Sequence, residues 1–175
     1  MMSAVRKVTI PEGVKAQLDG MQLRINGPKG QLSRNIRFPQ VTVTCDGKEV
    51  TIATESTRKE ITAMVGTLEA HTKNMIRGVT EGFEYRMKVV YSHFPIQLKL
   101  QGNKLEIANF LGEKKARYAR IEAGVTAKVA NDEVVLTGID RELVGTSAAN
   151  IEHATHIRNR DPRVFQDGIY MVQRG

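Results

Sequence analysis

Apolar and polar residues alternate through residues 18–36 (LDGMQLRINGPKGQLSRNI) on either side of a Gly-Pro-Lys-Gly turn, and a period of two predicts strand, turn, strand. The same pattern returns in residues 100–121 (LQGNKLEIANFLGEKKARYARI), turning near Gly112. Next come residues 41–54 (VTVTCDGKEVTIAT) and 125–138 (VTAKVANDEVVLTG), each a β-branched run, a polar turn and a second β-branched run, which predicts two hairpins. A helical period then takes over. Ile61, Met64, Val65, Leu68, Met75 and Ile76 fall on one helix face, with Thr57 and Glu60 spaced as a capping box and Gly78 as a stop signal. In the later segment Asp140 is the predicted N-cap, and Val144, Ala148, Ile151 and Thr155 line one side beside a strip of small residues, Gly145 and Ala149.

These features recur at an offset of 82 to 84 positions, too few copies for a solenoid but suited to a duplicated domain. An antiparallel sheet needs cover for its apolar face, and each half supplies one helix. The expected fold is therefore α+β: two duplicated small domains, each an antiparallel β-sheet packed against one α-helix. Residues 1–82 form the first repeat and 83–175 the second, with the boundary falling between residues 80 and 92.

Composition narrows the class. Of 175 residues, 41% are apolar, enough for packed cores, and the uninterrupted apolar runs are far shorter than the roughly 20 residues of a membrane span. With no signal-like apolar stretch near the start and a single cysteine, Cys45, the chain is expected in the cytoplasm, without a disulfide framework or a multi-cysteine zinc site. Lys and Arg outnumber Asp and Glu by 26 to 19, for a net +7, which permits a polyanionic partner. Divided at Lys88, the first part has 14 basic and 9 acidic residues and the second 12 and 10, so overall charge does not choose between them.

Catalytic chemistry finds little footing. The Asn26–Gly30 turn (NGPKG) lacks the glycine spacing and following helix of a phosphate loop, and reads as a hairpin turn. His153 and His156 are the only local histidine pair, without an evident third zinc ligand. Ser147 sits in GTSAA rather than a nucleophile elbow, and Asp132 and Glu133 belong to a turn. No catalytic residue, metal or cofactor is expected.

Basic residues cluster in two places in the second repeat. Residues 113–120 (EKKARYAR) carry Lys114, Lys115, Arg117 and Arg120, with Lys115, Arg117 and Ala119 on one strand face and Lys114, Tyr118 and Arg120 on the other. An ordinary solvated hairpin explains this segment equally well. Residues 157–170 (IRNRDPRVFQDGIY) place Arg158, Arg160 and Arg163 around Asp161 and Pro162, where proline constrains the chain, Asp161 is positioned to pair with an arginine, and the arginines suit phosphate. Phe165 and Tyr170 read either as base-stacking groups or as anchors to the core, and Ile169 and Met171 around Tyr170 favour anchoring.

The chain resembles the universal large-subunit ribosomal protein number six family in its archaeal and eukaryotic form, from about Val8 to Arg174. The most specific part is a carboxyl-terminal signature carried by Ile157, Arg160, Arg163, Phe165, Asp167, Gly168, Ile169, Tyr170 and Arg174. NGPKGQLSR, NMIRGVTEGF and DRELVGTSAANI add blocks in the same order, while His153 stands where the signature has glutamine. The resemblance implies a non-catalytic constituent of the large ribosomal subunit, binding rRNA chiefly through the second domain. That domain would lie near the sarcin-ricin loop and the surface used by translational GTPases, with the first domain toward the stalk base and its neighbouring ribosomal proteins. Carried onto this chain, the implied RNA contacts are Lys114, Lys115, Arg117, Ser147, Asn150, Arg158, Arg160 and Arg163. From the residues alone, an RNA-binding module that visits transcripts or tRNA is the alternative, while a small RNA-modifying or hydrolytic enzyme would need a nucleophile, base or metal site that the sequence does not display.

Overall fold

The computed structural model describes residues 4–175. The chain separates into two compact units, Met1–Gly82 and Phe83–Gly175. The first contains β1 (Ala4–Thr9), β2 (Lys15–Asp19), β3 (Gln22–Gly27), β4 (Gly30–Asn35), β5 (Val41–Cys45), β6 (Glu49–Thr54) and α1 (Lys59–Thr80). The second contains β7 (Phe83–Val90), β8 (Gln97–Gln101), β9 (Lys104–Ala108), a 3₁₀ turn at Phe110–Gly112, β10 (Arg117–Arg120), β11 (Val125–Ala130), β12 (Glu133–Gly138), α2 (Arg141–Ala154) and β13 (Gly168–Arg174).

The α+β duplication is present, and the strands of each unit are shared between two antiparallel sheets rather than one. In the first unit the orders are β1-β6-β5 and β2-β3-β4; in the second they are β11-β12-β7-β13 and β10-β9-β8. The duplication is visible in register. Leu23 and Ile25 of β3 and Leu105 and Ile107 of β9, 82 positions on, are all fully buried, as are Val50 with Ile52 and Val134 with Leu136. Alternation puts these pairs on the inward faces, within the core of each unit. The second unit does not end on its helix: β13 returns to pair with β7.

α1 forms because Ile61, Val65, Leu68, Thr72, Met75, Ile76 and Val79 give it one continuous inward stripe. Thr72 is tolerated there because its hydroxyl donates to Leu68 O at 2.8 Å. Met64 is only half-buried, at the margin of that core. The expected capping box does not form. Arg58 is the N-cap and makes no side-chain cap bond. Upstream, Thr54 Oγ1 accepts from Ser56 N at 3.2 Å and Ser56 Oγ from Arg58 N at 3.3 Å, and these two turns carry the chain past Thr57 before the helix starts. Gly78 is not the stop either. It is buried within the helix, which ends at Thr80 with Glu81 as C-cap, and the residue after the cap, Gly82, has a φ of 76° that suits glycine.

The NGPKG turn closes this carboxyl-terminal end of α1. Gly27 packs so tightly that a Cβ there would lie 2.6 Å from Val79 Cγ2. The Lys29 amide donates to Val79 O at 2.9 Å, and its ammonium donates to Glu81 O. A cation on the last carbonyls of a helix also opposes the negative end of its dipole. The turn is thus a hairpin that also caps a helix.

Candidate RNA-binding surface

α2 begins as the sequence predicts: Asp140 Oδ1 accepts from Glu142 N at 2.8 Å. Val144, Ala148 and Ile151 are fully buried beneath it, each large side chain there stabilising the unit by about 1.5–3 kcal/mol. Gly145 on the small flank faces Tyr85, whose ring edge would lie 3.9 Å from an added Cβ. Beyond the helix, residues 156–167 form a loop fastened at both ends. At its far end Thr155 Oγ1 accepts from Ile169 N at 3.1 Å and Glu152 Oε1 from Met171 N at 3.0 Å. Asp167, fully buried, accepts from Ser92 N at 3.3 Å through Oδ2, and its Oδ1 lies 3.6 Å from His93 Nδ1.

Arg117 fastens the near end. Its guanidinium donates to both Glu113 carboxylate oxygens, to Ala154 O at 2.9 Å and to His156 O at 3.0 Å, and lies 4.4 Å over the Phe110 ring. A planar fork serves these partners together in a way an ammonium does not. The Arg117 bond lowers the Glu113 carboxyl below its usual value, with a smaller pull from Arg160. The two basic segments of the sequence are therefore neighbours, joined by this side chain.

Three of the implied RNA contacts have hydrogen-bond partners within the protein. Arg117 is only 21% exposed in its side chain and is committed to the bonds above. Its strand partner position explains this: it shares the inward face with Ala119, which is buried. Ser147 is fully buried, donating to Leu143 O at 2.8 Å and accepting from Glu122 N at 3.0 Å. Asn150 donates to Arg120 O at 3.0 Å. Both residues tie α2 to the end of β10, which burial of the helix flank requires, and Ser147 presents nothing to a ligand.

The remaining five are exposed. Among the described residues Lys114, Lys115 and Arg158 make no hydrogen bond or ion pair, so their charges are available. Arg160 stacks 4.8 Å over the Phe165 ring, which also packs on His93 with ring centres 5.3 Å apart. Arg163 pairs with Asp161 through 3.1 and 3.0 Å bonds, and this pairing, with the Arg163 backbone N–H behind it, lowers the Asp161 carboxyl from its usual value. Phe165 is an anchor, half-buried against the core. Tyr170 stays exposed on β13, its hydroxyl donating to Gln166 O at 3.0 Å, so it ties down the loop.

His153 and His156 are both exposed, and among the described residues no group of three or more His, Cys, Asp or Glu side chains is placed to hold a metal ion. No described helix is long and apolar enough to cross a membrane.

Comparison with known proteins agrees with this duplicated architecture. The ribosomal protein L6 family matches residues 10–82 and again 94–168, one match per unit. The chain is 57% identical to the large ribosomal subunit protein uL6 of Methanospirillum hungatei, over 99% of this chain and 98% of that one. It is 51% identical to the uL6 of Methanothrix thermoacetophila, over 97% of each, and 52% identical to that of Methanocella arvoryzae, again over 97% of each. With one match in each repeat and near-complete coverage of these archaeal proteins, the chain belongs to the ribosomal protein L6 family.

Proposed function

We propose that the protein is a structural, non-catalytic constituent of the large ribosomal subunit, and that its second unit is the principal rRNA-binding domain. Family membership supports the first statement. The second rests on one observation: Lys114, Lys115 and Arg158 stand unpaired on two segments that Arg117 brackets together, with Arg160 and Arg163 on the same fastened loop. Cations on an ordered loop meet phosphate oxygens with little further loss of conformational freedom, and each phosphate neutralised releases counterions. The same reading places this domain near the sarcin-ricin loop and the translational GTPases, and the first unit toward ribosomal proteins at the stalk base.

Replacing Arg158, Arg160 and Arg163 together by alanine should weaken binding to a large-subunit rRNA transcript and lower the slope of log K against log salt by about 2 to 3. The melting temperature should change little, since all three are exposed. An unchanged salt slope would remove this loop from the site. Retention on large subunits in a high-salt sucrose gradient separates a resident protein from one that visits RNA transiently.

A further inference from the structure

The duplication provides an internal control for which surfaces the second unit has specialised. β8-β9-β10 and β2-β3-β4 are the same three-stranded sheet at corresponding register. On the side away from the buried Leu105, Ile107 and Ala119, β10, β9 and β8 align two cross-strand rows: Tyr118, Glu106 and Lys99, then Arg120, Lys104 and Gln101. The corresponding rows of the first unit are Ser33, Arg24 and Gln17, then Asn35, Gln22 and Asp19. There the single cation, Arg24, is paired with Asp19 at 3.1 Å, and no aromatic residue appears. In the second unit the same six positions hold three cations and a tyrosine that is 57% exposed.

Few of those charges are spent. Lys99 and Lys104 make no hydrogen bond or ion pair among the described residues. Glu106 accepts from the Gln101 amide, and Arg120, 75% exposed, reaches Glu122 at 3.4 Å. A solvated sheet has no need to concentrate cations around an outward aromatic ring, and its twin does not.

We propose that this outer face is a second RNA-binding surface, on which an unpaired nucleotide stacks on Tyr118 while neighbouring phosphates lie among Lys99, Lys104 and Arg120. The inference rests on the rRNA-binding reading above and adds the class of ligand, single-stranded rather than helical rRNA. Base pairs within a duplex hide the ring face that a tyrosine stacks on, whereas a loop or bulge exposes it. A flat ring among cations suits any base, so recognition here is of an unstacked nucleotide, not of sequence. The strands' main-chain pairing within the sheet leaves its face to side chains, which disfavours an added protein strand as the occupant.

The test is binding of the full chain to a large-subunit rRNA transcript, with ultraviolet crosslinking to locate the contact. Tyr118→Leu should weaken binding about tenfold, while Tyr118→Phe stays within about twofold because the ring is kept. Lys99→Gln with Lys104→Gln should lower the salt slope by about 1.5, and a crosslinked nucleotide at Tyr118 should fall in an unpaired rRNA segment. Wild-type affinity in Tyr118→Leu, or equal losses in Leu and Phe, overturns the stacking proposal. If Tyr118→Leu binds normally while the triple arginine variant does not, the inference fails and the proposed function stands. If neither variant is impaired, the proposed function has failed as well. Normal RNA binding by Tyr118→Leu together with poor retention on large subunits would assign the face to a protein neighbour.

Discussion

β1 and β7 occupy the same place in their sheets, with Val8 opposite Val50 and Met87 opposite Val134, yet their outer edges are treated differently. Among the described residues no strand pairs with the outer edge of β1, whereas β13 lies along β7. The helices differ in compensation. α1 runs 22 residues and packs along β1, while α2 stops after 14 and leaves chain for the arginine loop and the returning strand. The shared scaffold of two sheets and a helix is thus complete without a binding loop, and the second copy adds one by cutting its helix short. Because the additional segment returns to the sheet, the loop is closed by the core itself.

The sharpest way to break this comparison is to remove residues 168–175. The deletion takes Ile169, which is 1% exposed, out of the core and strips one edge of β7. We expect a loss above about 5 kcal/mol in the second unit, beyond the upper end for one core truncation, with amide protection at β3 retained. Unchanged protection of β9 would show that β13 adds nothing essential. Arg117→Ala comes next, at about 2 kcal/mol, because it abandons the carbonyls of Ala154 and His156 and the Glu113 carboxylate. Arg117→Lys should recover less than half of that loss in thermal melts, since one ammonium does not reach all three partners.

Lys29→Ala should cost about 0.5–1 kcal/mol and speed hydrogen exchange in the last turn of α1 alone, leaving the second unit untouched. The smallest effect is that of acid. The folded-state values of Glu113 and Asp161 are lowered, so their contributions are complete above the ordinary carboxylate range and disappear as pH falls through the lowered values. Melts of Glu113→Gln and wild type should therefore differ at neutral pH and converge as the pH falls below the ordinary carboxylate range. A gap that widened with acid would reverse the sign of the argument.

The repeats, the hairpins, the Asp140 cap and the basic segments were legible because each depends on neighbours in sequence. Arg117 was readable in part: alternation placed it on one strand face with Ala119, the face that the structure turns inward. Its partners at Ala154 and His156 lie some forty residues away, and no local pattern encodes them. The partners of Ser147 and Asn150 were hidden for the same reason, since the Glu122 N–H and Arg120 carbonyl that they serve come from another element. The capping box at Thr57 failed because the turns at Thr54 and Ser56 compete for the same backbone. The specialised face around Tyr118 emerges only when strand register aligns the two copies.

β7 is the first strand of its unit to be synthesised, and both its partners, β12 and β13, come far later in the sequence. During synthesis the first unit is free to close as soon as α1 emerges, whereas β7 keeps one edge open until β12 is made and the other until β13 follows. Its alternate positions, Glu84, Arg86 and Lys88, are charged and exposed. Those charges discourage the waiting strand from joining the wrong neighbour, so the nascent chain carries its own safeguard against aggregation.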